Sequence, residues 1–257
     1  MTLAVIVQAR FGSSRLPGKI LNPLGSKTAL ARVLDRCARI AAADTVIVAV
    51  PDSAENDPVA EAAEAAGYAV ARGPEDDVLT RYANAARAVE AESVMRVTSD
   101  CPFLDPRVCD QVIALWRETP ADYVNNTAPP LFPHGLDCEA FSAELLFEAE
   151  AKATDAAARE HVTPWIRAQA HLTLGNLTGP GDGVERMRWT LDYPEDLAFC
   201  QAVYAHLGEE QAAVIGWAEL AEVCRRHPEL TAINAKRHDT LRLARGIRAS
   251  LQRRWAG

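Results

Sequence analysis

The sequence predicts an α/β fold, a single domain of three layers in which helices cover both faces of a mostly parallel sheet. Apolar runs rich in β-branched residues alternate with helical patterns through the first half of the chain, as in βαβ units. The first run, residues 3–7, is apolar without interruption, which is typical of a strand buried on both faces. The length of 257 residues is enough for one large domain of this kind.

Each element of the first half follows from its own pattern. After the first strand, residues 30–37 carry apolar side chains at helical spacing. The runs TVIVAV at 45–50 and SVMRVT at 93–98 have the composition of further buried strands. The stretches between these runs predict a short strand at 68–71 and helices at 55–66, 78–90 and 106–118.

The second half is less regular. Its patterns predict strands at 122–125, 136–141, 171–177 and 188–191, and helices at 143–153 and 159–168. No linker separates two domains, so we predict one domain over 1–235 and a basic helical tail over 236–257. Residues 236–254 hold seven Lys or Arg residues against one acidic residue, Asp239. The tail is either a solvated amphipathic helix or a basic arm that docks on a partner subunit or an anionic surface.

Charge and composition exclude several classes of protein. The net charge of −8 argues against non-specific nucleic-acid binding, which needs a basic surface, but it leaves room for a nucleotide site. No apolar run approaches the roughly 20 residues of a membrane span, and the N-terminal residues do not have the pattern of a signal peptide. The six cysteines form no CxxC pair, which is typical of free thiols in a reducing compartment. We therefore expect a cytoplasmic protein with no nucleic-acid partner and no membrane insertion.

The loop after the first strand has the composition of a phosphate-binding site. Residues 8–19 read QARFGSSRLPGK and combine small residues with three cations, Arg10, Arg15 and Lys19. Small residues let backbone N–H groups approach phosphate oxygens, and the cations neutralise the phosphate charge. The loop is not a Walker A motif, because Ile20 stands where a Ser or Thr would hold magnesium, and it is not GxGxxG. The alternative is a surface loop with ordinary basic residues.

Two aspartates are candidate magnesium ligands. Asp100 and Asp192 each follow a predicted strand, and ligands of parallel sheets lie at the carboxyl ends of strands. Mg²⁺ takes one or two carboxylates together with phosphate oxygens and waters. The alternatives are structural: Asp100 as a turn residue before Pro102, and Asp192 as the N-cap of a helix opened by Pro194.

Four segments together carry a family resemblance. They are QARFGSSRLPGK at 8–19, RGPEDDVL at 72–79, TSDCPFLDP at 98–106 and WTLDYPEDL at 189–197, and REHVTP at 159–164 is a weaker match. In this order they resemble the cytidylyltransferase family of the SpsF type, which is associated with spore-coat polysaccharide synthesis. Acylneuraminate and KDO cytidylyltransferases are more distant relatives. The resemblance runs from residue 3 to about residue 235 and implies a single Rossmann-like domain of the nucleotide-diphospho-sugar transferase type.

The resemblance also implies a role for each matching residue. Arg72 would lie beside the nucleobase, with Asp77 nearby, and Asp100 and Asp192 would bind Mg²⁺. The more distant relatives often carry an Asp two positions before the one that matches Asp192. Thr190 stands there in this chain, which leaves one carboxylate fewer. The triphosphate site would be formed by Ala9, Arg10, Gly12, Ser13, Arg15, Lys19 and Ser99.

The second half of the chain offers candidate residues for an acceptor substrate. His134 precedes Asp137 and Glu139, whose side chains would point to one face of a strand. Arg159 and His161 lie in a predicted helix, and Arg159 would clamp an anionic group of the acceptor. The alternative is a structural ion-pair cluster among these residues, or a dimer contact.

Together these inferences predict an enzyme that acts as a homodimer. We expect Mg²⁺-dependent transfer of CMP from CTP to a sugar acid or a phosphorylated small molecule, with release of pyrophosphate, in the synthesis of surface polysaccharide or glycoconjugate precursors. The alternatives are a nucleotidyltransferase using another NTP, a non-catalytic nucleotide-binding regulator, and a GT-A-like glycosyltransferase. The glycosyltransferase is disfavoured because Asp100-Cys101-Pro102 lacks the second Asp of a DxD-like motif. The expected catalytic residues are Arg10, Arg15, Lys19, Asp100 and Asp192.

Overall fold

The computed structural model describes residues 2–251, so residues 252–257 of the predicted tail lie outside the described residues. The strands are β1 (Leu3–Gln8), β2 (Pro23–Leu24), β3 (Lys27–Thr28), β4 (Thr45–Pro51), β5 (Ala69–Gly73), β6 (Ser93–Thr98), β7 (Tyr123–Asn125), β8 (Glu139–Ser142) and β9 (Leu174–Asn176). The helices are α1 (Ala29–Cys37), α2 (Asp57–Ala65), α3 (Val78–Ala88), α4 (Pro106–Glu118), α5 (Ala143–Lys152), α6 (Ala156–His161), α7 (Pro164–Ala168), α8 (Pro194–Leu207), α9 (Glu209–Val214), α10 (Trp217–Arg226), α11 (Pro228–Ala232) and α12 (Thr240–Leu251).

Seven strands form one sheet in the order β5-β4-β1-β6-β8-β7-β9. The four strands β5, β4, β1 and β6 are mutually parallel, and β9 is parallel to β7. Only β8 runs against its neighbours within this sheet, pairing antiparallel with both β6 and β7. Because β1 and β6 are adjacent and parallel, the loops after them leave the sheet at the same edge.

The sheet is covered on both faces, which confirms the predicted three-layer α/β architecture. Alternate residues of β1 face opposite sides: Leu3, Val5 and Val7 belong to one buried cluster, and Ala4 and Ile6 to the other. The first cluster includes side chains of α1, α4, α8 and α10, and the second includes side chains of α3, α5, α6 and α7. Each large aliphatic side chain buried in this way contributes about 1.5–3 kcal/mol to folding.

The structure differs from the prediction at two places in the second half. The helix predicted over 159–168 is divided into α6 and α7, because Pro164 cannot continue a helix and Val162 takes a φ of 70°. Residues 188–191 form no regular strand; Arg188 makes only an isolated bridge with His134. The N–H groups of this segment bind separate partners, since Trp189 donates to His134 and Leu191 to Asp100. Because these N–H groups bind different segments, residues 188–191 cannot form a regular ladder with one neighbouring strand.

Within residues 2–251, every helix is too short or too polar to cross a lipid bilayer.

Candidate active site

A cleft of about 200 Å³ opens at the carboxyl ends of β1 and β6. The loop after β1 forms one side of it, and the Ser99-Asp100 turn after β6 forms the other. Asp192 reaches the cleft from the segment before α8. The structure therefore brings together all the residues predicted for the triphosphate and the metal ion: Ala9, Arg10, Gly12, Ser13, Arg15, Lys19, Ser99, Asp100 and Asp192.

The loop after β1 is held in one shape by backbone hydrogen bonds. The Phe11 N–H donates to Asn56 Oδ1 over 2.7 Å, and the Gly18 N–H donates to the Phe11 carbonyl over 3.1 Å. Gly18 has a φ of 63°, and a Cβ there would lie 3.2 Å from the Phe11 ring, so only glycine fits without strain. Lys19 then begins a short 3-10 turn, Lys19–Leu21, that starts directly from this closed loop. The loop thus presents Lys19 from a fixed base.

Lys19 lies between the two predicted metal ligands. Its Nζ is 2.8 Å from Asp100 Oδ2 and 2.9 Å from Asp192 Oδ1, and its side chain is only 14% exposed. Asp100 Oδ1 also accepts from the Thr98 hydroxyl over 2.6 Å. Asp100 is therefore part of a charged cluster facing the cleft, and its role as a magnesium ligand stays a prediction.

The three charges alter one another's protonation. Burial alone would raise the pKa of Asp100, but the ammonium of Lys19 outweighs burial and lowers the pKa to about 2. Burial likewise opposes the charged form of Asp192, and Lys19 again lowers that pKa. Burial would lower the pKa of Lys19, and the two carboxylates raise it instead. All three groups are therefore charged at neutral pH.

Asp192 is not the cap of the helix that follows it. Asp196, in the first turn of α8, accepts the backbone N–H groups of both Asp192 and Tyr193 at 3.0 Å. Arg188 holds Asp196 through two bonds of 2.8 Å and also reaches Asp192 Oδ2 at 3.2 Å. Because Asp196 performs the capping, the Asp192 carboxylate is directed to the cleft. The structure therefore excludes the cap alternative, and the role of Asp192 as a magnesium ligand stays a prediction.

The other two cations of the loop are more exposed. Arg10 is exposed and makes no ion pair with any residue in the described range 2–251. Arg15 donates to Asp192 Oδ1 over 2.8 Å, and its guanidinium lies 4.8 Å from the centre of the Tyr193 ring. Its side chain remains 49% exposed. Both cations are accessible to an anionic ligand in the cleft.

Sequence reasoning missed four residues that line the cleft, Gln8, Ser14, Arg81 and Thr98. Three of them stand inside or beside the motifs that were recognised. Arg81 lies on α3, where it is buried together with apolar residues of that helix. The sequence pattern of the helix does not mark it as a residue of the cleft. It donates from Nη1 to the carbonyl oxygens of Pro74 and Glu75, both at 2.6 Å. The segment that contains the predicted nucleobase residues is thereby fastened to the cleft.

Arg72 and Asp77 do not line the cleft. Arg72, on β5, pairs with Asp57 at 2.8 Å and donates to the Pro51 carbonyl at 3.3 Å. Asp77 caps α3 by accepting the Thr80 N–H at 3.0 Å. Burial opposes the ionised form of Asp77, but bonds from Thr80 and other neighbours lower its pKa. Their proposed place beside the nucleobase stays a prediction.

A second cavity, of about 340 Å³, adjoins the first. The two share Thr98, Asp100 and Asp192 as a common wall. Three of the five predicted acceptor residues line the second cavity: His134, Asp137 and Glu139. Any molecule in the second cavity would therefore face the charged cluster of the first.

Arg159 and His161 do not line this cavity, so the structure separates them from the other three predicted acceptor residues. Arg159 donates from Nε and Nη2 to Asp77 Oδ2 at 2.8 and 2.6 Å. It also donates from Nη1 to the carbonyl oxygens of Glu150 and Ala153. Its guanidinium is thus engaged in joining α3 to the α5–α6 connection, which matches the structural ion-pair alternative.

His134 is placed by backbone bonds on both sides. Its N–H donates to the Met187 carbonyl over 2.9 Å, and its carbonyl accepts the Trp189 N–H over 2.7 Å. Burial lowers the pKa of the imidazole, so it is neutral at neutral pH. Arg188 Nη1 lies 3.3 Å from Nδ1, and since an arginine only donates, the ring proton belongs on Nε2. His134 therefore offers a hydrogen-bond donor and not a base.

Comparison with known proteins places this architecture in a family. The sequence model of the family described as Cytidylyltransferase matches residues 4–213. The chain is 32% identical over 231 residues to the spore coat polysaccharide biosynthesis protein SpsF of Bacillus subtilis, covering 87% of this chain and 94% of SpsF. It is 40% identical over 114 residues to the 3-deoxy-manno-octulosonate cytidylyltransferase of Anaeromyxobacter dehalogenans, covering 43% of this chain and 46% of that enzyme.

A solved structure agrees with the sequence matches. The cytidylyltransferase of Leptospira borgpetersenii superposes with a TM-score of 0.83 at 26% identity, over 90% of this chain and 97% of that protein. The family match, the relative of full length and the shared fold confirm the resemblance drawn from the four sequence segments. The chain belongs to the cytidylyltransferase family and is a CTP-dependent nucleotidyltransferase.

Proposed function

We propose that the protein transfers CMP from CTP to a small acidic acceptor, a sugar acid or a phosphorylated polyol, and releases pyrophosphate. The observation that carries this proposal is the common wall of the two cavities. Asp100 and Asp192 face both of them, and the phosphate-binding loop faces only the first. A triphosphate in the first cavity and an acceptor in the second would meet at this wall.

The loop residues supply the charge that the reaction needs. An acceptor hydroxyl attacks the α-phosphorus and loses its proton to solvent, a P–O bond to the acceptor forms, and the bond to the β-phosphate oxygen breaks with its electron pair on pyrophosphate. Arg10, Arg15 and Lys19 all line the first cavity and would bind the β- and γ-phosphates, and Lys19 also stands at the wall between the cavities. Preorganised cations stabilise the leaving pyrophosphate without reorganising during the step.

The charged cluster fits Mg²⁺. Among residues 2–251, no group of three or more His, Cys, Asp or Glu side chains is arranged to hold a metal ion by itself. Asp100 and Asp192 supply two carboxylates, the number that Mg²⁺ takes when phosphate oxygens and waters complete its shell. Each carboxylate uses one oxygen for Lys19 and keeps further lone pairs. When bound there, Mg²⁺ would neutralise charge on the phosphate oxygens.

The acceptor class is the finer part of the proposal. One relative is named a 3-deoxy-manno-octulosonate cytidylyltransferase, and another a spore coat polysaccharide biosynthesis protein. We propose by analogy that this chain also serves the synthesis of a surface polysaccharide or glycoconjugate precursor, in the cytoplasm. The homodimer stays a prediction.

Pyrophosphate release tests the proposed function. The enzyme would be given each of CTP, UTP, ATP and GTP with Mg²⁺, against a panel of sugar acids and polyol phosphates. We expect release from CTP only, and only with one class of acceptor. Release from UTP or ATP at an equal rate would contradict CTP specificity. Formation of a nucleoside phosphate from a nucleotide sugar, without pyrophosphate, would favour the glycosyltransferase alternative.

A further inference from the structure

The last helix of the described chain, α12, forms a wall of the second cavity. Arg242 and Arg245, on one side of this helix, line the cavity, as does Asp239, which directly precedes the helix. Asp239 accepts the N–H groups of Leu241 and Arg242 at 3.0 Å and so caps the helix. The stretch predicted from sequence as a basic tail therefore contributes side chains to the same space as His134.

The helix is seated very closely on the loop before β8. A Cβ at Gly246 would lie 2.2 Å from Pro130 Cδ and 2.8 Å from the Thr127 carbonyl oxygen, so only glycine allows this approach. Arg242 Nη2 pairs with Asp137, and its Nη1 lies 3.5 Å from the Phe132 carbonyl. These contacts fix the distance between α12 and the wall that bears Asp137.

Glu139 of β8 also lines the second cavity. Glu139 is 92% buried, and its Oε1 lies 3.3 Å from Arg96 Nη1. Its Oε2 is buried and accepts no hydrogen bond from any described residue. A buried carboxylate oxygen without a donor is costly, and the neighbouring Arg96 is the cation that compensates its charge.

The charges of the cavity separate into two regions. Asp100 and Asp192 share Lys19, and Asp192 also pairs with Arg15 and Arg188. Glu139 pairs with Arg96. The α12 side instead presents Arg245, whose side chain is 70% exposed and reaches Asp239 through a single bond of 2.8 Å. Such an exposed pair has a small net value, and a bound anion can take over the guanidinium at little cost.

We propose that α12 is the acceptor-recognition element, in which Arg245 and Arg242 bind the carboxylate or phosphate of the acceptor. This inference rests on the proposed function, because it assigns the second cavity to the acceptor. The acceptor is thereby oriented with its anion on α12 and its hydroxyls toward the wall shared with the phosphate cleft. The binding of the acceptor's anionic group, which the sequence assigned to Arg159, is thereby assigned to Arg242 and Arg245 of α12.

Calorimetric titration tests this assignment without turnover. The full-length protein, saturated with Mg²⁺ and the non-reacting analogue α,β-methylene-CTP, would be titrated with three probes: 3-deoxy-manno-octulosonate, sorbitol 6-phosphate and sorbitol. We expect one of the two anionic probes to bind and neutral sorbitol not to bind, and the binding probe tells a carboxylate acceptor from a phosphate acceptor. Arg245→Ala should weaken that probe by about tenfold or more, because a charge-assisted bond is lost.

Two further variants separate recognition from structure. Arg248→Ala, on the same helix but outside the cavity lining, is the matched control and should bind the probe normally. Gly246→Ala raises the helix propensity at that position, but its Cβ would push α12 away from Pro130. The variant should therefore bind the anionic probe more weakly, while its affinity for the CTP analogue is unchanged. Equal losses from Arg245→Ala and Arg248→Ala would overturn the proposal.

Binding of α,β-methylene-CTP shows whether a negative result contradicts the assignment of α12 or the proposed function itself. If α,β-methylene-CTP binds with Mg²⁺ but neither anionic probe binds, the assignment of α12 fails and the proposed function stands. If sorbitol binds as well as the anions, anion recognition by α12 fails in the same way. If the CTP analogue itself does not bind, the proposed function fails and the inference built on it fails with it.

Discussion

The backbone N–H of Leu191 donates to the carbonyl oxygen of Asp100 over 2.8 Å. This bond and a second one, from the Thr190 hydroxyl to the same oxygen over 3.2 Å, join the turn after β6 to the irregular segment before α8 and place Asp192 beside Asp100. In a regular strand at 188–191, the Leu191 N–H would instead donate to a carbonyl oxygen of the neighbouring strand. The irregular path of the segment is therefore what delivers the second carboxylate to Lys19.

Both carboxylates should be needed for turnover. We expect Asp100→Asn and Asp192→Asn each to lower kcat by about 10²-fold or more, because each removes a charge that would stabilise the reacting phosphates. Steady-state pyrophosphate release at saturating Mg²⁺ measures this loss. Asp35→Asn, which removes a surface partner of Lys27, is the control and should be near normal. A near-normal Asp192→Asn enzyme would remove Asp192 from the metal site, since Asp196 and not Asp192 caps α8.

Lys19 should distinguish a triphosphate from a monophosphate. In Lys19→Met the two carboxylates lose their shared counter-charge, and the phosphates lose a cation. We expect the affinity for CTP to fall by about tenfold or more and that for CMP to fall less, because CMP has no β- or γ-phosphate. Isothermal titration of both nucleotides gives the two ratios. Lys27→Met serves as the control, and equal losses for CTP and CMP would contradict the assignment.

The depressed pKa of Asp100 predicts a pH dependence of stability. Because the folded pKa of about 2 lies below the unfolded value, ionised Asp100 stabilises the fold above about pH 4. That contribution, about 2 kcal/mol, should be lost as the pH falls through about 4 to 2. Urea unfolding of the wild type and of Asp100→Asn at several pH values isolates it as a difference. The difference should be constant from pH 5 to 7 and should shrink below pH 4; a constant difference down to pH 2 would exclude the effect.

Arg159 should matter for stability rather than for either substrate. Arg159→Ala removes the bonds that join Asp77 to the carbonyl oxygens of Glu150 and Ala153. We expect a loss of about 1–3 kcal/mol in the free energy of unfolding, because charged and backbone groups lose their donor. The KM values for CTP and for the acceptor should change little and alike. Arg87→Ala, which breaks an exposed pair with Glu150, is the control and should cost less than about 1 kcal/mol.

A selective rise in the acceptor KM of the Arg159→Ala enzyme, with unfolding unchanged, would restore the original prediction for that residue. Melting curves and kinetics with each substrate varied in turn supply both readings.

The sheet and the phosphate cleft were predictable because their signals are local. Uninterrupted apolar runs mark the buried parallel strands, and the residues that follow β1 and β6 must meet because those strands are neighbours. Arg10 and Asp100 each lie within three residues of such a run, and Lys19 ends the loop that Arg10 begins. Parallel topology alone then brings them to one edge, without any knowledge of side-chain packing.

The acceptor side was less predictable because it depends on long-range packing. The sequence of residues 159–164 does not show that Arg159 is bound to Asp77, because the two residues come from segments far apart in the chain. In the tail, the sequence showed an excess of basic residues but not the surface on which they lie. The position of Arg242 depends on the contact between Gly246 and Pro130, which the sequence does not show. Glycine in a helix is a weak sequence signal unless the surface that it meets is known.

The lining of the phosphate cleft lies wholly within residues 4–213, where the family match ends, whereas α12 begins at Thr240. The side of the acceptor cavity that α12 forms would then lie outside the matched stretch, whereas His134, Asp137 and the phosphate cleft lie inside it. Related enzymes would diverge toward new acceptors by substitutions in α12, while the CTP machinery stays intact. The same arrangement makes α12 the segment to exchange between two such enzymes when a new CMP conjugate is wanted.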